Sequence, residues 1–144
     1  LRTSIAASSA LRRSESGAFA GGEIAFDYSK GNGEINVESP LGGFDLRFSK
    51  ASDQRIHLYR TSGLIAIMRL KGAARDVPLN MDDFDASSHV YTIEKDEAFA
   101  ALNRLGEVLI GRIIDIADDT RGAAADLVRF KCRIFQVGMQ MSAP

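Results

Sequence analysis

The chain has 144 residues, of which 45% are hydrophobic and 26% charged, with a formal net charge of −1. That length fits a single domain able to bury roughly 68–70% of the surface its unfolded form exposes, so folding needs neither disulfide nor metal. The near-neutral balance argues against a general nucleic-acid binder, which carries a basic excess to meet phosphates, and no apolar run approaches the ~18 residues of a membrane span.

In chain order, residues 1–21 read as a linker or short helix. Ser, Ala and Gly dominate there, Arg2, Arg12 and Arg13 are the cations, and Glu15 is the one acid. Residues 3–13 fit one helical segment anchored by Ile5 and Leu11. A start on Leu1 is expected of a module within a longer protein. Residues 22–138 form a single β-rich domain. Ile24, Phe26 and Tyr28 alternate on one face of a strand. Asn32-Gly33 then predicts a tight hairpin turn, because such turns need positive φ at both central residues. Glu34 to Glu38 returns with Ile35 and Val37 inward.

Phe44, Leu46 and Phe48 alternate with Asp45 and Arg47, and Ile56 and Leu58 alternate with His57 and Tyr59. These are two half-buried strands joined by a polar corner. Leu64 to Leu70 is apolar on both faces, which predicts a central strand or one covered on both sides. Residues 71–86 are punctuated by Gly72 and Pro78 and made acidic by Asp82, Asp83 and Asp85. Sixteen residues is long for a loop, so the segment holds a turn of helix or a function. Val90 to Ile93 resumes as a strand.

Residues 96–117 allow two readings. Ala98, Leu102, Leu105, Leu109, Ile113 and Ile116 fit a helical stripe. A break at Asn103 to Gly106, followed by β-branched residues, fits a hairpin. Asp126 to Val137 is the clearest strand, with Val128, Phe130, Cys132 and Ile134 on one face. Residues 139–144 look like a disposable tail.

Three segments together carry a family resemblance: Glu23 to Ser29 with Gly31-Asn32-Gly33; Phe48 to Ser52 with Ile56 to Tyr59; and Asp115 to Gly122 ending in Arg129 to Ile134. Their order and spacing resemble a β-rich accessory domain of bacterial proteins, in some cases appended to a TIR domain. Phe48 stands where the resemblance implies tryptophan, and Cys132 where it implies an aromatic ring. The resemblance implies a hairpin over residues 97–117 and carries over no catalytic residue.

Candidate sites are few. Ser49, Lys50, Ser52 and Arg55 gather hydroxyls and cations at the corner, with His57, Tyr59 and Arg47 on one adjoining face. Lys and Arg supply charge and the hydroxyls donate, so an anionic small ligand is the natural guest. The plainer reading is a turn in which Ser and Asp bond their own backbone. Asp115, Asp118 and Asp119 with Arg121 lack the alternation of a calcium loop, so a charged turn with Arg121 paired to an aspartate is expected. Arg129, Lys131 and Arg133 line one face of the last strand, where they would meet phosphate or an acidic partner or, on the plainer reading, form a solvated stripe or a guard on a sheet edge. No nucleophile elbow, metal-ligand spacing or nucleotide-binding glycine loop is present, so no cofactor is expected. The single thiol, Cys132, reads as a buried hydrophobe, and with no secretory signal it points to the cytoplasm.

These readings add up to a mainly β fold, an antiparallel sandwich or a partly closed barrel of eight or nine strands. The expected function is a non-catalytic recognition or assembly module of a larger bacterial protein, meeting a protein partner or a neighbouring domain. The alternatives are a small enzyme using His57 with Lys50 or Arg55 in a cleft, and a homodimerisation domain.

Overall fold

A computed structural model describes the backbone of residues 3–5, 11–13 and 19–22 and the whole of residues 23–144. Among the described residues there are thirteen strands: β1 (Thr3–Ile5), β2 (Leu11–Arg13), β3 (Phe19–Phe26), β4 (Glu34–Val37), β5 (Phe44–Lys50), β6 (Arg55–Arg60), β7 (Leu64–Leu70), β8 (Pro78–Leu79), β9 (Val90–Glu94), β10 (Ala98–Asn103), β11 (Glu107–Ala117), β12 (Leu127–Gln136) and β13 (Met141–Ser142). Among the described residues no helix reaches seven residues, and none is long and apolar enough to cross a membrane. Sheet A runs β1-β4-β5-β6-β9, sheet B runs β2-β3-β12-β11-β10-β7, and β13 pairs with β8 apart from both. Every pairing is antiparallel except β1 with β4. Neither sheet closes on itself, so the fold is a sandwich and not a barrel.

The alternation of β5 and β6 points one set of side chains into the sandwich. Phe44, Leu46, Phe48, Ile56 and Leu58 are buried, and they meet Ile67, Phe99, Phe130 and Ile134 of sheet B in one core. At its centre Phe48, Phe99 and Phe130 form a ring trio with centroids 5.7 to 6.3 Å apart. Gly111 of β11 makes the trio fit. A Cβ there would lie 2.4 Å from Cζ of Phe99.

A second apolar cluster lies on the other face of sheet B. Met68, Leu70, Val108, Ile110 and Phe135 are covered by residues of the 71–86 and 137–144 segments, among them Leu79, Phe84 and Met141. The long break is therefore a strap, carrying β8 and a 3-10 turn at Met81–Asp83. β7 lies at the edge of sheet B; Leu64 and Ile67 belong to the core, Met68 and Leu70 lie under the strap, and Ile65 is exposed.

Five expectations need correction. Thr3–Ile5 and Leu11–Arg13 are strands, not parts of one helix, because β4 and β3 offer them backbone partners; the rest of the expected linker, residues 1–2, 6–10 and 14–18, lies outside the described residues. Gly31, Asn32 and Gly33 do have positive φ (58°, 58° and 76°), yet no hairpin results. β3 and β4 belong to different sheets, so the turn carries the chain across the sandwich. Gly33 is packed so closely that a Cβ would fall 1.9 Å from the Phe48 carbonyl oxygen. Residues 139–144 are no tail: Met141 and Ser142 pair with Leu79 and Pro78, and Ala143 is fully buried. β12 is central, between β3 and β11, so Arg129, Lys131 and Arg133 guard no edge. Finally, the strand total exceeds eight or nine because short pieces such as β8 and β13 carry no alternation to read.

Candidate functional site

Among the described residues sheet A has one open face, built by the side chains that alternate against the core. The register sets its rows. Glu34, Arg47, Tyr59 and Val90 stand side by side across four strands. Ser49, His57 and Thr92 form the next row, and Arg55 and Glu94 the last. The Arg47 guanidinium lies over the Tyr59 ring, 5.1 Å from its centroid, where the ring quadrupole attracts a cation. Ser49 Oγ and the Tyr59 hydroxyl share a hydrogen bond of 2.9 Å. His57 Nδ1 and Thr92 Oγ1 are bonded at 3.0 Å. Arg55 donates through Nε and Nη2 to Glu94 Oε1, each at 3.2 Å.

The candidate residues of the corner therefore separate. Ser49, His57, Tyr59 and Arg55 share the open face. Ser52 builds the turn itself: its Oγ accepts from the backbone N–H of Gln54 and Arg55 at 3.1 and 3.0 Å. Lys50 sits opposite the buried Ile56 and turns the other way, towards sheet B. Its Nζ lies 2.5 Å from Asp119 Oδ1, 3.2 Å from Asp126 Oδ1 and 3.4 Å from Asp118 Oδ1. His57 and Lys50, paired in the enzymatic reading, thus lie on opposite faces of the sheet.

Arg121 belongs with Lys50. Its Nε donates to Asp118 Oδ2 at 3.2 Å, so the expected pairing of Arg121 with an aspartate is present. Asp118 also accepts from the Thr120 hydroxyl and N–H at 2.6 and 2.9 Å, and Asp126 accepts from the Asp119 N–H at 3.0 Å. The Thr120 hydroxyl bond is the main reason the Asp118 carboxyl is held below its usual value. The bond to Asp119 likewise raises the Lys50 ammonium. Oxygens of Asp118, Asp119 and Asp126 lie within 4.8 Å of one another, a set that could hold a cation. The Lys50 ammonium already takes that place. Asp115 is not part of the set; it stands 3.9 Å from Lys95.

At the Tyr59 end, the open face dips into a depression of about 370 Å³. It is lined by Glu34, Asp45, Arg47, Tyr59 and Arg60 and by the loop residues Thr61, Ser62 and His89. Arg47 Nε donates to the Asn32 carbonyl at 3.3 Å, and Arg60 Nη1 to the Ile65 carbonyl at 3.2 Å. Neither arginine forms an ion pair among the described residues. Of this set, the sequence points only to Tyr59, with Arg47 on its face. The alternation of β6 gives Arg60 the parity of Ile56 and Leu58, opposite the buried Leu46, so nothing in it points to this depression. Nothing local marks Thr61, Ser62 or His89, which arrive from loops.

Cys132 is buried, and burial pushes its thiol from 9.0 up to about 12, as fits a packing residue. Comparisons with protein-family models, with curated proteins and with solved structures find no match for the chain.

Proposed function

We propose that this chain is a non-catalytic recognition module, an accessory unit of a larger protein, and that it works through the open face of sheet A. The observation that supports this is the state of Arg47. Lys50, Arg55 and Arg121 are all committed to carboxylates. Arg47 lies over the Tyr59 ring and is braced on the Asn32 carbonyl instead, with no ion pair among the described residues. A guanidinium held in this way keeps remaining N–H groups for a guest. A rigid sheet beneath it limits the entropy lost on binding.

The test is binding of the full chain to arrays of peptides, glycans and metabolites, with wild type and the variant Arg47→Ala in parallel. The reading expects a binder that the variant loses while its thermal unfolding is unchanged. Binders that all survive the variant, or chemical turnover of a bound compound, would overturn it.

A further inference from the structure

We infer that one end of the sandwich, where Leu41, Leu105 and Val137 stand exposed, is the docking surface for a second copy of this chain. This surface goes beyond the recognition reading and does not depend on it. Single exposed apolar residues are ordinary, but grouped ones mark interaction sites. Among the described residues six large hydrophobic side chains are exposed, and these three, at 50%, 51% and 66%, sit at one end. They come from three connections, β4–β5, β10–β11 and β12–β13. Leu105 rests on Gly42, where a Cβ would fall 2.4 Å from Leu105 Cδ1. The Val137 N–H donates to the Gly106 carbonyl at 2.9 Å, which ties the third connection to the second.

Buried polar groups hold these connections in place. Glu107 accepts from Ser39 Oγ at 2.5 Å, from the Leu41 N–H at 3.2 Å and from Asn103 Nδ2 at 2.9 Å. Asn103 Nδ2 also donates to the Gly43 carbonyl, and Asn103 Oδ1 accepts from the N–H groups of Leu105 and Glu107, each at 3.0 Å. Glu107 is buried and has no ion pair among the described residues. A buried carboxylate met only by neutral donors is a weak source of stability, since it has left water without a counter-charge. Its effect is to fix Leu41 and Leu105 in position, so that docking costs little loop entropy.

The charges beside the patch select the occupant. Glu38 is exposed at the end of β4 and has no ion pair among the described residues. Arg104 is exposed too and meets no carboxylate there; its Nε donates to the Ser62 carbonyl of the β6–β7 connection at 3.2 Å. β4 and β6 flank β5 in sheet A, so Glu38 and Arg104 stand on opposite sides of the patch. The two charges cancel, and their placement is self-complementary. A two-fold axis through the leucines sets each Arg104 against the partner's Glu38, as in an isologous interface, where every contact occurs twice. Three large apolar side chains are too few for an obligate interface, so the dimer is a weak one.

The experiment is sedimentation velocity of the full chain over about 5–500 µM, the range that suits a small interface. Expected is a mass that climbs from 15.6 kDa towards twice that value. Leu41→Ser with Val137→Ser should weaken association roughly tenfold or more, while Ile65→Ser, at an exposed apolar residue of β7, leaves it unchanged. The charges give a sharper reading. Glu38→Arg and Arg104→Glu each set like charges together and should stay monomeric alone. Mixed, they restore both pairs in a heterodimer and should associate as wild type does. All of these positions are exposed, so the variants keep the fold, which thermal melts check. A chain that stays monomeric throughout overturns the proposal. So does a dimer that survives the Leu41 and Val137 substitutions, which puts the interface elsewhere. Charge variants that associate alone, or that gain nothing on mixing, overturn it as well.

Discussion

The Nζ of Lys50, at the end of β5, stands 3.2 Å from Oδ1 of Asp126, a carboxylate whose side chain is 7% exposed. One sheet thus supplies the cation and the connection after β11 in the other sheet supplies the anions. Asp118 and Asp119 complete the set, and all three carboxylates crowd a single ammonium. Lys50→Ala should lower the thermal midpoint, because it leaves negative charges close together in a buried setting. Since the ammonium takes the position of a cation, wild-type melts should be unmoved by millimolar Mg²⁺ or Ca²⁺. A clear rise in the wild-type midpoint would show that metal displaces Lys50.

The same cluster sets an acid limb. Asp118 has a lowered pKa in the fold, chiefly from the Thr120 hydroxyl. The unfolded chain therefore binds its proton first as pH falls. The Asp118 contribution is fully present above the ordinary value of 3.8 and is lost as pH drops through the lowered folded value. Urea midpoints measured from about pH 5 to about pH 3 should fall steeply for wild type, and Asp118→Asn should flatten the fall while lowering the upper plateau. An unchanged acid slope in Asp118→Asn would mean that other carboxylates govern it.

How much of this was legible in the sequence depends on how each residue earns its place. The alternation in β5 and β6 fixes which side chains are core and which are open, so Phe48, Leu58 and His57 were readable. The β10–β11 hairpin was harder. A bulge between Ile113 and Asp115 returns Ile113 and Ile116 to the same buried face three residues apart, which imitates helical spacing. Val108 and Ile110 are buried too, under the strap, so the strand lacks a wet face to reveal its period. Lys50 misled for a different reason. Next to Ser49 it reads as surface, but the end of a strand lets it reach across the sandwich to residues near 120. Partners that far apart in sequence leave no local pattern, and the same holds for Arg60 with His89.

Core packing makes a sharper prediction at Gly111. An alanine Cβ would lie 2.4 Å from the Phe99 ring, and Phe99 is fully buried between Phe48 and Phe130. Gly111→Ala should cost about 1–3 kcal/mol by overpacking. Phe130→Ala, which empties the same site, should cost about 3–5 kcal/mol. Combining Gly111→Ala with Phe99→Leu should cost less than the sum of the two, because the smaller side chain makes room for the methyl. Additive losses in urea melts would place the Gly111 effect elsewhere.

The strap over sheet B hangs on two arginines. Arg112 Nε donates to the Pro144 carbonyl at 2.6 Å, Nη2 to the Ala73 carbonyl at 2.8 Å, and Nη1 to the Asp96 carbonyl. Arg133 Nη1 reaches Ser142 Oγ at 2.9 Å and the Ala143 carbonyl at 3.1 Å, and its Nη2 pairs with Asp76. Arg112 is enclosed enough that burial lowers its pKa, and its bonds all go to main-chain oxygens. Arg112→Met keeps the bulk of the side chain and removes the donors, leaving carbonyls of both strap segments unpaired. The expected loss is about 1–3 kcal/mol, and it should be local. Hydrogen exchange should quicken at residues 73–86 and 139–144, while β5, β11 and β12 keep their protection. A uniform loss of protection across both sheets would show that the strap and the sandwich unfold as one unit, and no change at all would show that Arg112 does not hold it.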